Sequence, residues 1–287
     1  MPELPEVETI IRGLAPVIEG EVVSAAKVNR PDLRWPFPKN MANRLIGKTI
    51  KQLRRRSKYI LADLSCGQTL LIHLGMSGTI HLIEKNKKNF KTNTSFYSFQ
   101  NLPKKHNHIE IHFGNLIMIY NDPRRFGFFK LLKDKESFKL YLNNIGYEPL
   151  DKNFNLKYLK KSILFRKKCI KSILLDQKII SGIGNIYANE ILFHSGLNPR
   201  KKGLKLKDFE LKYLYKYSKL VLKKAILKGG SSIRDFRNTE GAKGSFQDNF
   251  KVYNKDDHNC PNKKCNYKIK KINISNRSTF YCENCQK

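Results

Sequence analysis

Apolar and polar positions alternate in two different ways along this chain. Between about residues 49 and 132, short apolar or alternating runs predict β-strands separated by glycine-containing turns. The clearest runs are residues 59–64, 69–74, 108–113 and 116–120. Because they follow one another with short connections, we expect an antiparallel sandwich or barrel.

Helical spacing flanks this region. A first helix is predicted to begin near Pro5, because proline suits the first helical position and glutamates follow in the first turn. We expect it to end between Gly13 and Pro16. From about residue 155 to residue 228, apolar positions again recur at helical spacing.

The predicted fold class is therefore α+β. Gly229 and Gly230 end the helical region, and the polar stretches 84–105 and 238–249 are predicted loops. The predicted parts of the chain are a β-rich domain at 1–135, a linker at 136–154, a helical domain at 155–230, and a loop with a cysteine-rich tail at 231–287.

Charge narrows the choice of partner. The 287 residues carry a formal net charge of +32, and such an excess repels itself unless a polyanion is bound. Coding in an AT-rich genome also raises lysine content, so the charge favours nucleic acid without deciding it. No apolar run reaches membrane-helix length, and the acidic, proline-containing first ten residues are unlike a secretory signal. We therefore expect a cytoplasmic protein with no membrane partner.

Four of the six cysteines are grouped in the tail, as two close pairs. Cys260 and Cys265 form one pair, and Cys282 and Cys285 form the other. Four thiolates suit a tetrahedral Zn²⁺ and leave no open position for water, so the predicted zinc is structural. The alternative is four unbound cysteines. Disulfides are not expected in a reducing compartment.

Three turns carry residues suited to DNA. Residues 121–127 (NDPRRFG) set two arginines and a phenylalanine after a strand, where they can fill the gap left by a displaced base. Residues 73–78 (HLGMSG) present Met76 on a second loop of this kind. Residues 181–187 (SGIGNIY) can aim backbone N–H groups and the Asn185 amide at a phosphate. Each segment alone is explained as well, or better, as an ordinary turn.

The N-terminus offers a nucleophile. A small second residue such as Pro2 normally permits removal of the initiator methionine, which leaves a free secondary amine. With a pKa of about 8, a useful fraction of that amine is unprotonated near neutrality and can form a Schiff base with a sugar aldehyde carbon. Glu3 and Glu6 lie nearby as proton-transfer groups. Alone, the segment is more simply a helix cap with acids in its first turn.

Together these segments resemble the bacterial formamidopyrimidine-DNA glycosylases, also called 8-oxoguanine DNA glycosylases. The resemblance runs in order through residues 1–9, 56–59, 73–78, 122–127, 182–190 and 277–282. It implies an N-terminal helix on an antiparallel β-sandwich, a helix–two-turn–helix domain and a four-cysteine zinc finger. Damaged double-stranded DNA would lie in a cleft between the two main domains, and we expect a monomer.

The resemblance also implies catalytic roles. Pro2 would be the Schiff-base nucleophile, and Glu3 the acid/base that assists sugar opening. Lys58 would donate the proton in β-elimination, and Arg277 would assist δ-elimination. The expected result is release of 8-oxoguanine or a formamidopyrimidine, followed by strand nicking. No nucleotide or organic cofactor is expected beside the single structural zinc.

DNA contacts follow from the same resemblance. Met76, Arg124 and Phe126 would fill the base stack, with Arg124 facing the orphaned cytosine. The other expected contacts are His106, Lys167 and Asn185, with His73 and Tyr253 as weaker candidates.

Two alternatives stay open. Endonuclease VIII shares the Pro2–Glu3 chemistry but prefers oxidised pyrimidines; residues 122–127, and residues 239–246, which resemble a base-covering loop, favour the purine enzyme. A zinc-finger protein that only binds damaged DNA would need neither Pro2 nor Glu3. The family usually spaces its first cysteine pair by two residues, whereas four separate Cys260 from Cys265, and residues 84–105 have no assigned role.

Overall fold

The computed structural model describes residues 1–84, 103–231 and 245–287, with the backbone alone at residues 90–92. Its contacts divide the chain into two compact units. The first contains Met1–Asn143 and Lys228–Gln247, and the second contains Asn144–Leu227 and Asp248–Lys287.

The first unit begins with helix α1 (Leu4–Ile18), which a capping box between Glu3 and Glu6 starts. The expected end near Gly13 to Pro16 is wrong, because the helix continues to Ile18 with Pro16 inside it. Pro16 removes one backbone hydrogen bond, but its side chain is exposed, and Leu14 and Ile18 are buried on the opposite side of that turn. Burial of this apolar face outweighs the missing bond.

Among the described residues of this unit, nine strands form two antiparallel sheets. In chain order they are β1 (Ala25–Val28), β2 (Ile50–Arg56), β3 (Tyr59–Leu64), β4 (Thr69–His73), β5 (Thr79–Glu84), β6 (Phe90–Thr92), β7 (Asn107–Phe113), β8 (Leu116–Asn121) and β9 (Phe128–Leu132). One sheet has the order β2-β3-β4-β9 and the other β1-β7-β8-β5-β6. The described part of the unit also contains two short α-helices, α2 (Met41–Leu45) and α3 (Lys135–Phe138).

A single apolar core includes residues of both sheets and of α1. Ile60 and Ile72 enter it from the four-stranded sheet, Ile80 and Ile111 from the five-stranded sheet, and Ile10 from the helix. Each buried side chain of this size contributes about 1.5–3 kcal/mol. The predicted antiparallel sandwich is therefore confirmed, and all four predicted strand segments are strands.

The two predicted loops lie largely outside the described residues. Within the first of them, however, Glu84 ends β5 and Phe90–Thr92 form β6, so part of residues 84–105 is strand. Of residues 238–249, only those from Ser245 onward are described, and Phe246–Asn249 form a 3₁₀ turn.

The second unit is helical and ends in a hairpin. Its elements are α4 (Leu156–Ile163), α5 (Ile170–Leu175), α6 (Asn185–His194), α7 (Asp208–Leu227), β10 (Lys270–Ile274) and β11 (Arg277–Tyr281). Gln177 organises the turns between α5 and α6, because its amide donates to the carbonyls of Leu175 and Ile183 and accepts from the Gly182 N–H. In the described part of the chain, no helix combines the length and apolarity needed to cross a membrane.

Candidate active site

The amino terminus is held among charged groups. Pro2 is buried and Glu3 is 2% exposed, although the Met1 side chain is exposed. Burial lowers the pKa of the Met1 amino group; Glu3 and Glu6 raise it, and Lys58 and Arg124 lower it further. The first unit therefore brings three predicted site residues, Glu3, Lys58 and Arg124, close to the terminal amine.

Glu6 joins the start of α1 to Ser231, which follows the Gly229–Gly230 pair. One of its carboxylate oxygens accepts the Glu3 N–H at 2.9 Å. The other accepts both the N–H and the hydroxyl of Ser231, at 2.8 and 2.9 Å. Because both oxygens accept hydrogen bonds from protein donors, Glu6 holds the backbone of Glu3 and that of Ser231 in place.

Lys58 occupies the tight turn between β2 and β3 and is only 6% exposed. Its neighbour Ser57 adopts a left-handed conformation with φ of 56°. Arg55 supports the turn by donating to the Ser57 carbonyl at 3.1 Å while pairing with Glu8 of α1 at 2.8 Å. This support ties Lys58 to the helix that starts at Leu4.

Strand register brings His73 beside this turn. His73 pairs with Tyr59 on one side and with Phe128 on the other, and its ring stacks on Phe128 at 5.2 Å. Burial, with Lys58 as a second cause, lowers the pKa of His73 to about 4, so the imidazole is neutral near pH 7. Its Nδ1 accepts the Gly75 N–H at 3.2 Å, which leaves the Nε2–H to donate to a ligand.

Two loops cross from one sheet to the other at this same end of the sandwich. We call residues 73–78 and 122–127 the wedge loops. The first links β4 to β5 and the second links β8 to β9, and Thr79 pairs with Asn121 where they meet. The predicted stacking residues Met76, Arg124 and Phe126 therefore share one edge of the unit.

Asp122 binds the two wedge loops together, although it is fully buried. One carboxylate oxygen accepts the Ser77 hydroxyl at 2.5 Å, and the other accepts the Gly127 N–H at 2.9 Å and the Tyr120 hydroxyl at 3.0 Å. The backbone of His106 joins the same cluster, because its carbonyl accepts the Asp122 N–H at 3.0 Å. The sequence motif identified the turn but gave no sign of this role for the carboxylate.

Gly75 permits the loops to touch. Its φ is +64°, and a Cβ placed there would overlap the backbone of Phe126 and Gly127. A larger residue would therefore separate Met76 from Phe126.

In the second unit, Arg277 lies exposed at the start of β11, after a turn whose residues Ser275 and Asn276 both have positive φ. Lys171, fully buried, donates to the Ser278 carbonyl at 3.0 Å and to the Thr279 hydroxyl at 2.8 Å. These bonds fix the hairpin, and with it the backbone of Arg277, to helix α5.

Asn185 is the first residue of α6 and lies beside the same hairpin. Its amide donates to the Ser278 carbonyl at 3.0 Å, so the second unit brings Asn185 and Arg277 together. Lys167 lies elsewhere in this unit, exposed in the connection between α4 and α5.

Tyr253 is placed by a buried carboxylate. Glu190 accepts three consecutive backbone N–H groups, those of Lys251, Val252 and Tyr253, at 2.8–3.0 Å. The Tyr253 ring meets Phe280 edge-on at 5.3 Å. Neither Lys171 nor Glu190 was singled out from sequence; a charged residue within a helical apolar pattern is the only signal they carry.

The four cysteines of the tail converge. Their sulfur atoms all lie within 4.8 Å of one another, with Cys260 and Cys285 at 3.7 Å and Cys265 and Cys282 at 3.6 Å. The Asn284 amide donates to the Cys265 sulfur, and this bond is the largest cause that lowers the pKa of the thiol to about 6. The cluster can hold one metal ion.

Comparisons with known proteins agree with this architecture. Residues 1–129 match the formamidopyrimidine-DNA glycosylase N-terminal domain, and residues 145–237 match the formamidopyrimidine-DNA glycosylase H2TH domain. The formamidopyrimidine-DNA glycosylases of Roseobacter denitrificans and Ruegeria pomeroyi are each 46% identical over 290 residues, covering all of both chains.

Solved structures show the same similarity. The Lactococcus lactis enzyme in complex with Fapy-dG-containing DNA is 31% identical with a TM-score of 0.86, covering 99% of this chain and 100% of that one. Its complex with abasic-site DNA is 31% identical with a TM-score of 0.87, covering 99% of both.

A β-sandwich that starts with a capped helix, a helix–two-turn–helix domain and a four-cysteine hairpin define a DNA-repair glycosylase. The chain belongs to the formamidopyrimidine-DNA glycosylase family. The resemblance drawn from six sequence segments is thereby confirmed.

Proposed function

We propose that this enzyme removes oxidised purines from damaged duplex DNA and then nicks the strand, with Pro2 as the nucleophile. The observation that carries this proposal is the burial of Pro2 and Glu3 beside Lys58, around an amine whose pKa burial lowers. In the full chain the Pro2 nitrogen belongs to a peptide bond, so removal of Met1 must precede catalysis.

The Pro2 amine attacks the anomeric carbon of the flipped nucleotide, and the base leaves with the bonding electrons and takes up the proton that the amine loses. The sugar then opens to an iminium ion, since the Pro2 nitrogen is a secondary amine. Glu3 moves the proton that sugar opening requires, because its buried carboxyl lies closest in sequence to the amine. The iminium ion acidifies the neighbouring C–H bond. Loss of that proton to water forms a C=C bond and expels the 3′ phosphate with the electrons of its C–O bond, which is β-elimination. Lys58 donates a proton in this step, and δ-elimination, assisted by Arg277, releases the 5′ phosphate.

Flipping a base costs a few kcal/mol, which the wedge loops offset. We assign Met76, Arg124 and Phe126 to the space that the base leaves, since all three lie on loops that Asp122 joins. The other groups assigned to DNA contact are His106, Lys167 and Asn185, with His73 and Tyr253 as weaker candidates.

The metal of the tail is proposed to be Zn²⁺. Bonds of about 2.3 Å in a tetrahedron place sulfur atoms about 3.8 Å apart, close to the 3.6 and 3.7 Å found here. Four cysteine ligands would fill the coordination shell of Zn²⁺, so zinc would support the fold of the finger and would take no part in the reaction. The wider spacing of Cys260 and Cys265 does not keep their sulfur atoms out of the cluster.

Borohydride trapping tests the proposal. The protein is incubated with an 8-oxoguanine·cytosine duplex or a thymine-glycol duplex, and the linked residue is mapped by mass spectrometry. We expect an adduct on Pro2, formed faster with 8-oxoguanine, and none with Pro2→Gly, which still binds the lesion. Faster reaction with thymine glycol would favour the endonuclease VIII-like alternative. Tight binding with no adduct, after confirmed removal of Met1, would favour the alternative that only binds damaged DNA.

A further inference from the structure

A short loop at residues 30–37 (RPDLRWPF) lies beside the second wedge loop, and the proposed chemistry gives it no role. The loop is internally bonded, since the Leu33 N–H donates to the Trp35 carbonyl at 3.0 Å and the Phe37 N–H donates to the Pro31 carbonyl at 3.1 Å. Leu33 is buried and the Phe37 ring packs 5.6 Å from the Phe129 ring, so the loop is anchored at its middle and at its last residue.

This rigid loop presents its two central side chains to solvent next to Phe126. The Arg34 guanidinium lies 5.0 Å from the Trp35 ring and 5.7 Å from the Phe126 ring. The Arg124 guanidinium lies 4.9 Å from the same Phe126 ring. Four side chains thus alternate as cation, ring, cation, ring, in the order Arg124, Phe126, Arg34, Trp35.

We call these four side chains the cation–aromatic row. Their exposure is unusual for a surface that contacts only water. Trp35 is 45% exposed and Phe126 is 36% exposed, and both arginines are exposed. Within the described residues, no carboxylate forms an ion pair with Arg34 or Arg124. The Trp35 ring meets Phe128 edge-on at 5.4 Å and stays part-exposed. Two neighbouring cations and two part-exposed rings together are complementary to a polyanion with stacked, flat faces.

We propose that Arg34 and Trp35 form a further DNA-contact surface. This surface holds the duplex next to the position in the base stack that is assigned to Phe126. This proposal rests on the proposed function, because it requires the wedge loops to contact DNA. Trp35 stacks on a nucleotide next to the place where the wedge loops enter the base stack, and Arg34 binds an adjacent phosphate. The row is continuous with the stacking residues, and a rigid loop loses little conformational entropy on binding.

The chain supplies its own probe, since Trp35 is its only tryptophan. Titration with an 8-oxoguanine·cytosine duplex is expected to quench tryptophan fluorescence at the concentrations where fluorescence anisotropy of labelled DNA reports binding. An emission spectrum unchanged at saturating duplex would overturn the proposal. That outcome is distinguishable from failure of the proposed function, because base release by the same wild-type protein is measured in parallel.

Substitutions separate the two side chains. Arg34→Ala is expected to lower the slope of log Kd against log salt by about one, and Trp35→Ala to weaken binding by about tenfold. Trp35→Phe keeps a flat ring and most of the affinity, which guards against loss by misfolding alone. Lys51→Ala is the matched control, because it removes an exposed positive charge at the second residue of β2. We expect it to leave the affinity for DNA unchanged. If Arg34→Ala and Lys51→Ala change the salt slope and the affinity equally, Arg34 contributes only nonspecific charge, and the proposed contact surface is refuted.

Discussion

Ser77 donates a hydrogen bond to Asp122 over 2.5 Å and accepts one from the Arg124 N–H at 3.2 Å, so it joins the loop of Met76 to the loop of Phe126. Asp122 is fully buried, and its second oxygen binds Tyr120 and Gly127. A buried carboxylate is stable only when such donors satisfy it. The geometry of the wedge loops therefore depends on a residue that is not expected to touch DNA.

Replacement of Asp122 by Asn is expected to lower the free energy of unfolding by about 2–3 kcal/mol. The amide replaces one acceptor oxygen with a donor, which then faces other donors in a buried place. Base release should slow as well, because Met76 and Phe126 lose their common support. Urea denaturation measures the first effect and single-turnover excision the second.

Ser77→Ala is the companion variant. It removes one donor and leaves the carboxylate the others, so the expected loss is about 0.5–1.5 kcal/mol. A double variant that destabilises by the plain sum of the two losses would contradict the coupling of the loops through this bond.

Gly230→Ala is expected to impair catalysis without altering any proposed catalytic residue. Gly230 has φ of +78°, and a Cβ there would lie 3.1 Å from the Glu6 carboxylate oxygen that binds Ser231. The left-handed conformation costs about 1–2 kcal/mol for alanine, and Glu6 must also shift. We expect a loss of stability together with slower base release in single-turnover assays.

Gly47→Ala is its matched control. Gly47 has a similar φ of +74°, but a Cβ at that position meets nothing within 4 Å. It should therefore lose comparable stability and keep its rate of base release. If both variants slow excision equally, the contact with Glu6 has no separate effect.

Much of the fold could be predicted from the sequence, because local patterns of residues determine many of its strands and its cysteine cluster. Alternating apolar runs predicted β3, β4, β7 and β8, and paired cysteines predicted the cluster in the tail. The end of α1 was missed because Pro16 argues locally for a stop, whereas burial of Leu14 and Ile18 depends on partners distant in the sequence.

The supporting residues were missed for the same reason. Lys171 and Glu190 hold segments that lie more than 60 residues away along the chain, and no local pattern encodes such contacts. Arg34 and Trp35 were not singled out from the sequence, and only the structure places Arg34 beside Phe126. Sequence motifs thus predicted side chains for DNA contact, but they gave no sign of the buried side chains that position the loops and the hairpin.

The pH dependence of trapping reports on the terminal amine. Only the neutral amine attacks the sugar, so the trapping rate should rise with pH and level off above its pKa. Burial lowers the pKa of the Met1 amine, and we expect the same burial to act on Pro2 once Met1 is removed. Single-turnover trapping between about pH 5 and pH 9 should therefore give a midpoint below the ordinary value of about 8.

Two variants test the sign of this effect. Lys58 lowers the pKa of the amine and Glu3 raises it. In Lys58→Gln the midpoint should move up, and in Glu3→Gln it should move down, whatever happens to the maximal rate. A wild-type midpoint at or above the ordinary value would contradict the burial of the amine.

Cys265→Ser is expected to abolish metal binding and to unfold the zinc finger. The tail has only a small core, in which Val252, Ile269 and Phe280 pack around the cysteines. So small a core cannot stabilise a fold alone, and structural zinc supplies about 10–16 kcal/mol in isolated fingers. We expect one zinc per wild-type chain by elemental analysis, none in the variant, and at least tenfold weaker DNA binding because Arg277 is no longer held. Cys66→Ser, at an exposed cysteine outside the cluster, should keep both zinc and affinity. A wild-type protein that retains full DNA affinity after complete removal of its zinc would show that the finger folds without metal.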